Sequence, residues 1–420
     1  MKIAFKFFPL LVLYTIIILF LSKDYFLKDE ARYFQYAHNI ANGFFTTSDN
    51  PYLMNGFGYP AYLSIFVGLE LPLIVPKLLN GLLTYLAIIY LYKTILLFTD
   101  KEKIALVFSY LLGLYYPMFY LLALNQTDCL SLLLTCAFIY FTIKLLQSEK
   151  LNLLSTLIPG LLLGFLAQNK LVIGYSIIAM LLFSLAYYVI FRTKKSLKFT
   201  FIMAIGFACL VPYFIYTYSL TGRKFYFGTN GGEALYWMST NYKNEFGSWF
   251  EVDSVLAGKV PGVHPEHIKF LSAVNSKPWV ERKDLLSERA VQNIKNSPKD
   301  YVINVVCNTL RLLFGVPYSY AYHSVDVYIY LFFNSIFLIP LVFTLYPAWV
   351  HRLKLPFEIT GLTLFMLCYL GCHILLTSEP RYFILAIPFI IIWLVYFYKE
   401  FINVKFLFKD GSSQISIITK

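Results

Sequence analysis

Charge is scarce in this sequence. Only 14% of its 420 residues are Asp, Glu, Lys or Arg, against 59% hydrophobic and 19% aromatic, a balance that a water-soluble globular domain does not need. The six cysteines, at 129, 136, 209, 307, 368 and 372, lie in or beside apolar segments without a CxxC pair, so neither a disulfide framework nor a zinc site is indicated. There is no glycine-rich phosphate loop, no βαβ pattern and no internal repeat. The longest internal basic loop, 192 to 198, leaves a soluble nucleotide or nucleotide sugar nowhere to bind.

What the chain has instead is apolar length. Runs of spanning length cover about 5–22, 72–98, 104–122, 128–147, 153–168, 171–191, 199–219, 326–347, 357–376 and 381–398. Lipid offers the backbone no hydrogen bonds, so these runs must be helices. The expected fold is an all-α polytopic membrane protein with about ten to eleven transmembrane helices, one domain over 1–420. A first external loop, 23–58, carries an amphipathic helix, and a larger external loop fills 220–300. The stretch 302–316 is too short to span and reads as interfacial or re-entrant. Lys2 and Lys6 precede the first run without a small-residue cleavage site behind it, so it reads as a retained anchor.

Arg192, Lys194, Lys195 and Lys198 form the strongest basic cluster, helped by Lys2, Lys6, Lys101, Lys103, Arg352 and Lys354. The positive-inside rule makes those loops cytoplasmic. Alternation then puts the Asp29 loop, the turns at 125–128 and 168–170, the segment 220–300 and Ser378 to Arg381 together on the opposite face. A net charge of +12 would suit nucleic acid, but the excess sits at cytoplasmic helix ends, where membrane lipids are the expected partner and nucleic acid is not.

Carboxylates at a membrane face are costly unless they work. Asp29 and Glu30 open an amphipathic segment whose apolar side is Ala31, Tyr33, Phe34, Tyr36, Ala37 and Ile40. Asp128 begins a span directly after Thr127, which is placed to cap it; a capped helix and a site carboxylate both remain open there. Lys170 and Arg381 stand at helix ends, where a single cation is ordinarily a snorkelling anchor. Sharing a face with Arg32 and three acids, they suggest an anionic substrate.

Sugar transfer from a polyprenyl phosphate needs this kit. Phosphate leaves without a general acid and asks for cations, whereas the acceptor hydroxyl needs a carboxylate base. His264-Pro265-Glu266-His267 resembles ligand spacing, but Pro265 interrupts regular helix and no third ligand is evident, so no metal residue is assigned. Asn125-Gln126-Thr127 is a glycosylation sequon too close to the membrane for use. Trp237, Trp249 and Trp279 read as headgroup anchors more than as sugar platforms.

Asp29-Glu30-Ala31-Arg32-Tyr33 after the first span, Gly58-Tyr59-Pro60, the 164–170 segment ending Gln168-Asn169-Lys170, and Arg381-Tyr382 together resemble the GT-C glycosyltransferases. The pattern is similar to the protein O-mannosyltransferase and aminoarabinose transferase group, glycosyltransferase family 39-like. That resemblance implies Asp29 as base, with Glu30 beside it and Asp128 as a second acidic position. It implies substrate binding by Arg32, Tyr33, Tyr59, Lys170, Arg381 and Tyr382, transfer by inversion, and a site on the extracytoplasmic face of a bacterial inner or plasma membrane. The donor would be a polyprenyl-phosphate sugar, hexosyl or pentosyl, and the acceptor a glycan, lipid or protein. No cofactor is certain; a divalent cation stays open. The family's usual Thr-Lys is Asn169-Lys170 here, and its paired prolines are reduced to Pro60-Ala61. Two rivals remain: a transporter or flippase of an anionic lipid-linked substrate, and a lipid-linked glycan polymerase or ligase.

Overall fold

A computed structural model describes the backbone of residues 2–150, 152–317, 325–409 and 412–419. The chain runs through α1 (Lys2–Leu21), α2 (Glu30–Ala41), α3 (Gly58–Gly68), α4 (Ile74–Ile95), α5 (Glu102–Gly113), α6 (Pro117–Leu122) and α7 (Asp128–Gln147). It continues through α8 (Leu157–Asn169), α9 (Val172–Phe191), α10 (Lys194–Ala208) and α11 (Val211–Thr221). The larger loop forms α12 (Asn230–Met238), α13 (Val252–Leu256), α14 (Pro265–Asn275) and α15 (Trp279–Asn296), and the rest α16 (Pro298–Phe314), α17 (Val325–Val350), α18 (Phe357–Leu376) and α19 (Ile387–Phe401). Beyond the bundle, Ile402–Lys409 and Ser412–Thr419 pair as an antiparallel hairpin that the sequence reading did not foresee.

Among the described residues, seven helices are long and apolar enough to cross a membrane, and the fold is that of a polytopic integral membrane protein. Other expected spans are broken by proline. The run 104–122 divides into α5 and α6 at Pro117, which lacks the amide that would extend α5. The run 381–398 opens with a 3-10 turn, Pro380–Leu385, before α19 begins. The run 153–168 also starts as a 3-10 turn, Leu153–Thr156, with no proline in it, leaving α8 shorter than a full crossing.

The two ends of the bundle differ in chemistry. At one end Lys198 donates to the carbonyls of Leu145 and Ser148 at 3.0 and 2.6 Å, closing the C-terminus of α7, and Lys195 pairs with Glu358 at 2.9 Å. Lys6 pairs with Glu102 there as well. The other end holds the start of α2, the start of α7, the α8–α9 turn and the segment after α18. Their side chains bond one another directly, so the sequence assigns them correctly to one side.

α16 lies along that same end. Tyr301 donates to the Leu375 carbonyl at 3.0 Å, while Arg311 reaches the Phe246 carbonyl and Ser248 hydroxyl at 2.9 and 3.1 Å. The two contacts are about 15 Å apart along the helix. Val302, Ile303, Val306 and Leu310 form its exposed apolar face, and Asn304, Asn308 and Arg311 its buried polar one. The helix is amphipathic, with its polar side turned to the protein.

The 220–300 segment departs from the expected turns followed by one surface helix. α12 to α15 enclose a separate core of Tyr236, Trp237, Val252, Val255, Leu271, Val274 and Leu286. Trp237 is therefore 1% exposed within the lobe instead of anchoring it in headgroups. Trp279 packs on Tyr52 at 4.4 Å and under Arg282 at 4.7 Å. Both histidines of the 264–267 motif have local work. His264 accepts from the Glu266 amide and stacks on Tyr242 at 3.7 Å. His267 donates to Glu245 at 2.9 Å and accepts from the Tyr236 hydroxyl at 2.6 Å.

Glu233 of α12 pairs with Arg282 at 3.4 Å inside this lobe, and burial, opposed by Arg282, pushes its carboxyl up to about 7. Between the ordinary carboxylate range and 7 the folded state then binds more protons than the unfolded one. Stability from this group is fully present at low pH and is lost as pH rises through 7. Glu233→Gln should flatten that slope, read as thermal midpoint against pH.

Candidate active site

Four helix ends converge on one charged cluster. Lys28, at φ 53°, turns the chain into α2 so that Asp29 occupies the N-cap position without capping. Its carboxylate is thereby free for cations. Oδ1 lies 2.9 Å from Arg32 Nη2 and Oδ2 lies 3.2 Å from Arg381 Nη2. Thr127 does not cap α7 either, so of the two readings the sequence left open at that turn the cap is not formed. Asp128 Oδ1 accepts from Lys170 at 3.0 Å, and Arg381 Nη1 stands 4.0 Å from Oδ2, which has no hydrogen-bond partner. Arg381 bridges the two acids and also donates to Gln126 Oε1. Burial lowers the Lys170 ammonium against the opposing pull of Asp128, while burial raises the neighbouring Glu379 carboxyl against Arg381 and Arg311.

The two acids differ in access. The Asp29 side chain is 29% exposed and the Asp128 side chain 2%. Of the two, Asp29 is the one open to solvent.

The aromatic residues named from sequence form layers around the cluster. The Tyr382 ring lies 5.2 Å from Lys170 Nζ and 5.4 Å from Arg381 Cζ. Tyr33 stands one layer back, its hydroxyl accepting from Asn55 at 3.1 Å while Asn55 accepts from Arg32 Nε at 2.6 Å. Tyr59 meets the Tyr33 ring edge-on at 5.1 Å, and its buried hydroxyl has no partner.

Glu30 is not brought to the cluster. It is fully buried, accepting from the Leu27 and Asn125 amides at 2.7 Å each, with Lys77 Nζ at 3.7 Å. Lys77, equally buried, donates to the Lys23 carbonyl at 2.9 Å. Glu30 thus ties the first external loop to the turn that presents Gln126 and Asp128. The sequence placed it beside Asp29 because the two are adjacent. Consecutive helical residues point about 100° apart, and here that rotation separates them.

The Asn169 found in place of the family threonine also has a structural task. Its Nδ2 donates to the Thr127 carbonyl at 3.2 Å and to Ser131 Oγ at 2.6 Å, holding Lys170 against Asp128. Asn80 supports the same turn through the Leu122 and Leu124 carbonyls. Asn125 of the sequon is fully buried.

The segment before α3 crosses the α8–α9 turn so closely that only glycine fits. A Cβ on Gly56 would sit 2.1 Å from the Gln168 carbonyl oxygen, and one on Gly58 2.8 Å from the Asn169 amide nitrogen. Gly56→Ala should therefore lower stability by about 1–3 kcal/mol, read as the thermal midpoint in detergent.

Two cavities flank this crossing. An apolar groove of about 820 Å³ is lined by Ile40, Phe44, Phe57, Ala61, Leu161, Phe165, Gln168, Cys209, Tyr213 and Tyr216 among others. On the other side, a more polar cavity of about 570 Å³ lies beneath α12 and reaches Tyr382. Among the described residues, no group of three His, Cys, Asp or Glu side chains is arranged to hold a metal ion.

These features define a polytopic helical membrane protein with a compact cation–carboxylate site at one end of its bundle. Residues 53–216 match the family described as dolichyl-phosphate-mannose-protein mannosyltransferase. That stretch carries Tyr59, Asp128 and Lys170, and over it the resemblance drawn from sequence to the GT-C glycosyltransferases holds. A crystal structure of ArnT from Cupriavidus metallidurans bound to undecaprenyl phosphate is also similar. It has 14% sequence identity and a TM-score of 0.34, over 90% of this chain and 77% of that one. No protein of curated function matches the sequence.

Proposed function

We propose that the chain is a membrane glycosyltransferase that moves a sugar from a polyprenyl-phosphate donor to a hydroxyl acceptor at the extracytoplasmic face. The observation that carries this reading is the ion cluster itself. Arg32, Lys170 and Arg381 outnumber Asp29 and Asp128, leaving one positive charge for a phosphate. Glu379 and Lys28 beside it add one charge of each sign. A net cationic site with an accessible carboxylate is what expulsion of a phosphate by a hydroxyl requires.

In this mechanism the acceptor oxygen attacks the anomeric carbon as its proton passes to Asp29. The bond from that carbon to the phosphate oxygen breaks, its electron pair remains on the phosphate, and Lys170, Arg381 and Arg32 take up the charge. Attack opposite the leaving group inverts the anomeric configuration. Asp128 keeps Lys170 and Arg381 aligned, and Glu30 positions the Asn125–Gln126 turn. Tyr382 forms the floor under both cations, while Tyr33 and Tyr59 hold Asn55 and Arg32. The 820 Å³ apolar groove suits the donor's hydrocarbon. Lys195, Lys198 and Lys6 at the far end support the outward orientation of the site.

The test is release of polyprenyl phosphate from a panel of polyprenyl-phosphate sugars by purified protein in lipid, with a membrane extract as acceptor source. Release above a protein-free control supports the reading. Absence of donor consumption across the panel overturns it in favour of lipid transport.

A further inference from the structure

The 570 Å³ cavity lies across the 53–58 segment from the apolar groove, with Met54 and Leu171 lining it where Gly58 and Gln168 line the groove. It meets the charged cluster at Tyr382. His373 of α18 lines it, is 7% exposed, and stacks on Tyr382 at 4.3 Å. Its Nδ1 lies 3.3 Å from the Thr377 carbonyl, which can only accept, so Nδ1 carries the proton and Nε2 is a bare acceptor. That Nε2 is buried and has no partner, and the same holds for Asn230 Oδ1 in the cavity wall. His373 and Asn230, each with an unpartnered acceptor, both line this cavity, and a ligand rich in hydroxyl donors would satisfy them. Tyr175 and Phe227, packed ring on ring at 4.2 Å, supply apolar wall against which a sugar ring can pack.

The rim adds charge. Arg223, Lys224 and Lys283 line the cavity mouth, and Asp284 pairs with Arg223 and stands 3.7 Å from Lys283. Lys224 is exposed and remains available.

We propose that this cavity is the acceptor subsite, taking a saccharide that bears a phosphate or carboxylate, with His373 Nε2 accepting one of its hydroxyls and the Lys224–Lys283 rim holding its anionic group. The assignment to the acceptor rests on the glycosyltransferase reading, because the donor's hydrocarbon belongs in the other groove.

Each cavity has a cysteine in its wall, Cys372 here and Cys209 in the apolar groove, so ligand protection from maleimide can be read by mass spectrometry without turnover. In nanodiscs of zwitterionic lipid, mannose 6-phosphate and glucuronate should slow labelling of Cys372 at concentrations about tenfold below those needed of mannose or glucose, leaving Cys209 unchanged. Lys224→Glu should abolish the preference for charge. His373→Phe, which keeps a ring against Tyr382, should abolish protection by charged and neutral sugars alike.

Equal protection by neutral and charged sugars overturns the anionic assignment. Protection of Cys372 by polyprenyl phosphate, with none from the sugars, gives the cavity to the donor. Protection by anionic lipid alone, with no increment from sugar phosphate, makes the rim a headgroup site. Any of these outcomes alongside intact release of polyprenyl phosphate overturns the subsite and leaves the activity standing. A positive footprint without donor release does the reverse.

Discussion

Asp29→Asn should reduce release of polyprenyl phosphate by about a thousandfold, the ordinary contribution of a positioned general base. The substitution is nearly isosteric, and the amide oxygen can still accept from Arg32 or Arg381, so the loop and the thermal midpoint should change little. One negative charge fewer leaves the cations more available to the donor, so its KM should hold or fall while kcat drops. A small effect at Asp29 with a large one at Asp128→Asn would exchange the roles assigned from their exposure. Equal donor consumption by wild type and Asp29→Asn would move the chemistry into the 220–300 lobe, as a polymerase or ligase requires.

Lys77→Met should cost about 3–5 kcal/mol of stability, because it leaves the fully enclosed Glu30 carboxylate without its cation. Glu30→Gln should cost a comparable amount, since one carboxamide cannot accept from both the Leu27 and Asn125 amides. The double variant should recover much of the loss contributed by the orphaned charge. Thermal unfolding in detergent checks each step. Glu30→Gln with an unchanged midpoint and abolished transfer would return Glu30 to the chemistry, where its sequence position next to Asp29 had put it.

Sidedness was legible because it depends on run length and on where Lys and Arg fall, both properties of the chain alone. Asp29 with Arg32, Asp128, Lys170, and Arg381 with Tyr382 come from four parts of the chain tens to hundreds of positions apart, yet topology was enough to assemble them. What a pattern of helices does not contain is rotation about each helix axis. Glu30 therefore shares a motif with Asp29 and points elsewhere, and Asn169, Gln126 and Asn55 went unread as supports. A signal for two missed residues was present. Lys77 and His373 each interrupt an apolar span, and an ionisable group there needs a partner or a ligand. The lobe was misread because Trp237 and its neighbours were weighed against the membrane interface, when α12 to α15 provide one another with a core.

The charged cluster is assembled from the first loop, two internal turns and the segment after α18, so its pieces leave the ribosome far apart in time. Asp29, Asp128 and Lys170 can be in place while more than two hundred residues are still to be made, but the guanidinium that joins both acids arrives with Arg381. Until then the site lacks its bridging cation and a third of its anion-holding charge. On the proposed function, a nascent chain therefore has its full set of phosphate-holding cations only once its last helices have been made.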